Sequence, residues 1–211
     1  MKLTKYGHAC VRLEKDSRAL VIDPGMIMPD PAALAGAEAV LVTHEHWDHF
    51  DADRLRAAAE EKPDLVIYTC EAVARKLPRL AERVQVVRDG DVVKAAGFEV
   101  AVVGERHHVS HPDVPPVGNV GFLVDGEVFH PGDALTVVDA PTLLVPGQAP
   151  WMTVPDLIGV LRTMRPRRAF AVHDGLLNEW GLKVLDGVLE SERDGLGADI
   201  RRLPVGGTVD L

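Results

Sequence analysis

At 211 residues, 46% hydrophobic and 26% charged, the chain can bury a sizeable core and has the balance of an ordinary globular protein. No run approaches the ~18 consecutive apolar residues of a membrane span, and the opening MKLTKYGHAC has no apolar signal-peptide core, so no membrane partner and a cytoplasmic location are expected. A formal charge of −9, with RPRR at 165–168 as the one basic run that stands out, argues against a nucleic-acid partner bound through a broad basic face.

In chain order, KLTKYGHACVRLE and RALVIDPG read as two strands joined by the turn KDSR. PDPAALAG, from Pro29, gives a short helix and AVLVT a buried strand. DADRLRAAAEEKP has helical spacing and stops at Pro63. DLVIYTC is a strand, EAVARKLPRL a helix ended or interrupted near Pro78, and RVQVV another strand. GDVVKAAGFEVAVVGE reads as a hairpin about Gly97, and after the irregular RHHVSHPDVPPVG a second hairpin turns on Asp125-Gly126. PTLLVP and RRAFAVHD are strands around the helical VPDLIGVLRTM. A long helix, LLNEWGLKVLDGVLESERDG, and a strand pair near DIRRLPVGGTVDL complete the pattern. No linker, low-complexity segment or repeat interrupts it, so one domain over 1–211 is expected, with two sheets and helices outside them. The two cysteines, Cys10 and Cys70, are too few for a disulfide framework and are expected to be buried and reduced.

The chemistry concentrates in VLVTHEHWDHFD, 40–51, where His44, His46, Asp48 and His49 follow an apolar strand. Residues two apart on extended backbone face the same way, which pairs His44 with His46. Asp48 and His49 follow as the chain turns, aiming a carboxylate and a third imidazole elsewhere. Two ligand groups from one loop suit two neighbouring metals, and an N/O set suits a borderline or hard divalent ion. Other strand ends supply His107, His108 or His111, then Asp133 after a Pro-Gly turn, and His173. Read singly, each has an ordinary explanation as a capping Asp or a hydrogen-bonded strand-end His. What they share is that each sits where a buried strand emerges.

His-x-His-x-Asp-His, then a His, an Asp in PGD and a late His, in that order, resembles the metallo-β-lactamase-fold superfamily. The resemblance runs over nearly the whole chain. GHAC with IDPG is most similar to the small branch that includes L-ascorbate 6-phosphate lactonase-like hydrolases. The resemblance implies an α+β fold, a four-layer αββα sandwich with the site at one edge. It implies that His44, His46 and one histidine of 107–111 bind a first metal, that Asp48, His49 and His173 bind a second, and that Asp133 bridges them. His107 is the choice within that run, because it stands first after its strand. His108 has the opposite parity and is expected behind the ligands or at the surface, and His111 stands before Pro112 in a loop that is a candidate to border the substrate. Asp23 of VIDPG is expected behind a ligand histidine, orienting it.

The activity implied is that of a dinuclear hydrolase for a small-molecule ester, lactone or phosphoester. Two divalent ions, zinc foremost with manganese or iron as alternatives, generate a bridging hydroxide, and Asp48 and Asp133 orient it. No Ser-His-Asp set is needed, since GxSxG is absent. His8, in the GHAC turn, is a candidate proton donor or a hydrogen-bonded strand-start histidine. Trp151 is a candidate to stack on a ligand or a core or rim aromatic. Two further readings compete: an iron-dependent redox enzyme of the persulfide dioxygenase type on the same ligands, and a non-catalytic binding member of the fold.

Overall fold

The structure, a computed structural model, describes residues 1–27, 30–115 and 117–211. Its hairpins follow from turn chemistry. Asp16-Ser17, Ala96-Gly97 and Asp125-Gly126 all place both central residues at positive φ, the twist that lets two strands pair closely. They join β2 (Val11–Lys15) to β3 (Arg18–Ile22), β7 (Val92–Ala95) to β8 (Phe98–Val103), and β9 (Gly121–Val124) to β10 (Val128–His130).

The first sheet begins with β1 (Lys2–Lys5), antiparallel to β2, and continues through β3. It then runs parallel through β4 (Ala39–Val42), β5 (Val66–Thr69) and β6 (Val84–Val86). The second sheet mirrors that plan. After the antiparallel run β7 to β10 come the parallel strands β11 (Thr142–Pro146), β12 (Arg168–Val172) and β13 (Asp199–Arg202). Last in the chain, β14 (Thr208–Asp210) returns to the first sheet and pairs with β1. The expected closing strand pair is therefore divided: β13 lies beside β12 and β14 beside β1.

A second departure is at the start. KLTKYGHACVRLE is two strands, because Tyr6 N–H donates to Cys10 O across a turn that carries His8. The short helix expected from Pro29 is a 3-10 turn over Pro31–Leu34, capped by Asp30, and Pro29 lies outside the described residues, as does Pro116 of the irregular loop.

Between the sheets, Leu13, Leu20, Ile22, Phe98, Val100, Phe122, Val124 and Phe170 form one buried core. Alternate residues of β11 and β12 point the other way, where Leu143, Val145, Ala169 and Ala171 meet the helices α3 (Val154–Met164) and α4 (Glu179–Leu196). Burial on both faces explains why these strands read as unbroken apolar runs. α1 (Ala52–Glu61) and α2 (Glu71–Arg75) belong to the first sheet, α1 linking β4 to β5 and α2 linking β5 to β6. Caps define the helices: Asp51 accepts from two first-turn N–H groups of α1, Thr153 and Asp156 form a capping box on α3, and Gly197 closes α4 in the left-handed region. Two mixed sheets with flanking helices are the α+β sandwich expected from the resemblance. Among the described residues, no helix is long and apolar enough to cross a membrane.

Candidate metal centre

The strands β3, β4, β8, β10 and β12 all release the chain at one edge, and the polar residues of interest follow their ends. There the structure assembles two groups. His44, His46, His107 and Asp133 form one, and His8, Asp48, His49 and His173 the other, with the ligand atoms of each group within 4.8 Å of one another. Asp133 reaches both groups: its Oδ2 lies 3.2 Å from His107 Nε2 and from His173 Nε2, and its Oδ1 lies 3.1 Å from His49 Nε2. His111 stays out of the assembly, exposed, with its Nδ1 accepting from Asp113 N–H. His108 stacks on Trp151 instead of turning inward.

Hydrogen bonds on the far side of four rings fix which nitrogen faces the centre, whereas His46 turns its Nδ1 toward His44 Nε2 at 3.0 Å. His49 Nδ1 donates to Asp23 Oδ2 at 2.6 Å, His107 Nδ1 to the His108 carbonyl at 2.6 Å, and His173 Nδ1 to the Gln148 carbonyl at 2.6 Å. Thr43 Oγ1 donates to Asp23 Oδ2 and so accepts from His44 Nδ1, at 2.7 and 2.9 Å. With Nδ1 protonated, each of the four turns Nε2 toward the cluster, as metal-binding imidazoles held by an outer partner do. His8 has the opposite arrangement. Its Nδ1 accepts from Gly175 N–H at 2.9 Å, which puts its proton on Nε2, 3.2 Å from Asp48 Oδ2. His8 is therefore a donor to Asp48, not a fourth ligand of that group.

The charges are those of a site built for a cation. His49 Nε2, His173 Nε2 and Asp133 Oδ1 are buried without a hydrogen-bond partner, a costly state for polar atoms unless something occupies the space between them. Burial opposes charge on His49, yet Asp133 and Asp23 hold its pKa well above the usual imidazole value. Burial likewise opposes charge on His173, but the Asp133 and Asp48 carboxylates, 3.2 and 3.4 Å from its Nε2, raise it to about 9. The carboxylates move the other way. Despite burial, Asp133 is lowered by the His49 charge, the His107 hydrogen bond and the adjacent His173, and Asp48 by the adjacent His173 and the His8 hydrogen bond. Burial and then the charge on His49 push His44 well down, and burial and then His107 lower His46. The Asp133 and Asp48 carboxylates thus favour positive charge beside them, which a divalent ion held there would supply. Burial, followed by the Asp23 charge, pushes the Cys10 thiol up, so the donor set is nitrogen and oxygen.

Backbone fit is tight around these groups. A Cβ on Gly25 would overlap the Asp48 carbonyl, and one on Gly132, at φ +62, would overlap the Asn119 side chain. Asp23 and His173 sit at φ +49 and +60, a region non-glycine residues seldom occupy; Asp23 N–H bonds Leu41 O, and His173 N–H bonds His8 O. Three supporting residues have roles that the sequence did not assign. Trp151 is buried and gives its indole N–H to Asp133 Oδ2 at 2.9 Å; Asn119 Oδ1 accepts from Asp133 N–H; Thr43 couples Asp23 to His44. Thr43 stands directly before His44, which is the one positional hint available.

A two-sheet sandwich with outer helices and a His/Asp double cluster at one edge defines the metallo-β-lactamase class. The chain belongs to the β-lactamase superfamily, whose domain profile matches residues 2–173. It is 34% identical to Protein Rv0786c of Mycobacterium tuberculosis over 84% of this chain and 85% of that one. It is 26% identical to a UPF0173 metal-dependent hydrolase of Pyrobaculum calidifontis, covering 82% and 84% of the two chains. Among solved structures it resembles Igni18, a metallo hydrolase of Ignicoccus hospitalis, with TM-score 0.71 and 21% identity over 99% of this chain and 97% of that one.

Proposed function

We propose that the protein is a dinuclear metal-dependent hydrolase, with zinc as its metal and a small ester, lactone or phosphoester as its substrate. The family match and the description of the Pyrobaculum relative support a metal-dependent hydrolase of this superfamily. The two-metal centre and the substrate are our reading of the site. One observation carries it: Asp133 stands between two clusters of inward-facing imidazoles, in contact with His107 on one side and His49 and His173 on the other.

His44, His46 and His107 would hold one ion, Asp48, His49 and His173 the other, and Asp133 both. Divalent ions held there supply Lewis acidity and an activated water near neutral pH. The chain's own contribution is orientation. Trp151 and Asn119 fix Asp133, Asp23 fixes His49, and His8 holds Asp48 Oδ2 through its Nε2 proton. Turning His44, His49, His107 or His173 out of place would break a hydrogen bond on its far side, so most of the constellation is set before a ligand arrives.

The test has two parts. Protein purified without added metal is expected to carry about two zinc ions per chain by elemental analysis; iron alone would favour the redox reading, and no metal under any condition would remove both. On a panel of esters, lactones, thioesters and phosphodiesters, His46→Ala is expected to lower hydrolysis at least about a hundredfold. Activity that survives this substitution would refute the mechanism.

A further inference from the structure

Beside the first ligand group lies a cavity of about 380 Å³, at the small end of ligand-binding sites. His46 and His107 form its inner wall, so whatever fills it reaches the candidate ligands directly. The rest comes from the loop that follows: His108, Val109, Val114 and Val117, Pro112 and Pro115, and the Ser110 hydroxyl. No lysine or arginine lines it among the described residues. The loop is anchored at its base, where Arg106 and Gly118 form an antiparallel bridge, His107 N–H donates to Val117 O at 2.9 Å and Asn119 N–H to Glu105 O at 3.1 Å. Val109 and Val114 are nonetheless 61% and 50% exposed. What marks these two valines is their place: they wall the same cavity as His46 and His107 and give it apolar surface beside the polar centre.

The chemistry discriminates between substrates. Phosphate groups are recognised chiefly by arginine, lysine or clustered N–H donors, and this cavity offers no lysine or arginine among the described residues, only imidazoles and one hydroxyl. A larger hollow of about 580 Å³ does contain Arg56, Arg79 and Arg83, but it lies beside α1 and includes none of the ligand residues. Two of those arginines are already engaged, Arg56 with Asp53 and Arg83 with the Ala59 carbonyl.

We infer that the cavity walled by His46, His107, Val109 and Val114 receives an uncharged aliphatic arm of the substrate, and that the substrate is a carboxylic ester or lactone, not a phosphoester. The inference rests on the hydrolase reading and narrows it. In the reaction, a water oxygen bonds to the carbonyl carbon and the acyl C–O bond breaks. The departing oxygen takes up a proton, giving an acid and an alcohol, or a hydroxy acid from a lactone, with no redox partner.

The test separates binding from turnover. Calorimetry on the zinc-loaded protein measures affinity for acetate, butyrate, hexanoate and octanoate, with inorganic phosphate as the rival ligand. The 4-nitrophenyl esters of the same acids, with bis(4-nitrophenyl) phosphate, give kcat/KM. Both series are expected to climb about fourfold per added methylene until the cavity is full, as burial of one CH2 requires, and octanoate to outbind phosphate. Val114→Asp, and as a second variant Val109→Asp, both at solvent-exposed positions, should flatten the climb. A flat series in the unaltered protein, tighter binding of phosphate than of octanoate, a preference for the phosphodiester, or an undiminished climb in both variants would overturn the inference. Affinity that climbs with no ester turned over would support the subsite and refute the hydrolase reading.

Discussion

Four of the five rings that face the centre are turned by a bond on the far nitrogen, and the partners differ in kind; the fifth, His46, meets His44 Nε2 through its Nδ1 instead. His107 and His173 are held by backbone carbonyls, His44 by a hydroxyl, and His49 by the carboxylate of Asp23. The last is the strongest arrangement, since Asp23 is fully buried and also accepts from Thr43 N–H and Thr43 Oγ1. Asp23→Asn retains the size but removes the charge that fixes the His49 tautomer. Metal affinity is expected to fall roughly 10- to 100-fold, measured by competition with a chromophoric chelator; unchanged affinity would show that Asp23 does not orient His49. His44, His46, Asp48 and His49 were legible because one short segment carries them. Asp133 and His173 were legible as strand-end residues in a known order. Trp151 was not, since its indole N–H finds Asp133 only through the fold, and the sequence left it between ligand-stacking and core roles. The carbonyls of His108 and Gln148 leave no mark in sequence at all.

Among the elements, hairpins and helices were the most legible, because paired positive-φ turn residues and caps are local signals. The early chain misled because Tyr6–Cys10 is flanked by strand-like residues on both sides; only its closure by Cys10 O divides β1 from β2 and delivers His8 to the edge. The destinations of β13 and β14 were hidden for a different reason: pairing partners distant in sequence leave no local pattern. One contact between elements makes a test at this scale. Arg162 of α3 donates from Nε and Nη2 to Glu192 of α4 at 2.9 and 2.7 Å. That hydrogen bond lowers the Glu192 carboxyl below its usual range, against burial. A carboxyl depressed in the folded state stabilises above its unfolded pKa, about 4.3, and the contribution is lost as pH falls through the folded value. The Tm advantage of the unaltered protein over Glu192→Gln should therefore be full at neutral pH and shrink below about pH 4. A difference that does not vary with pH would show that the pair carries no charge-dependent stability.

At the scale of the whole molecule, the candidate ligands come from both sheets. His44, His46, Asp48 and His49 follow β4 of the first, whereas His107, Asp133 and His173 follow β8, β10 and β12 of the second. A metal bound there contacts the folded state alone. Free zinc at about a hundredfold above its Kd should add about 2.7 kcal/mol and raise Tm by several degrees. The shift should vanish in His46→Ala, and a melt indifferent to zinc and to chelator alike would argue that the clusters hold no ion. Ligand loops drawn from facing sheets make the centre a seam as well as a site, so the side chains that would serve chemistry also hold that edge together. Selection for persistence and selection for activity then act on the same residues. Change in what is hydrolysed has a freer route through the 106–118 loop, which can be rebuilt on its anchored base while the seam is left alone.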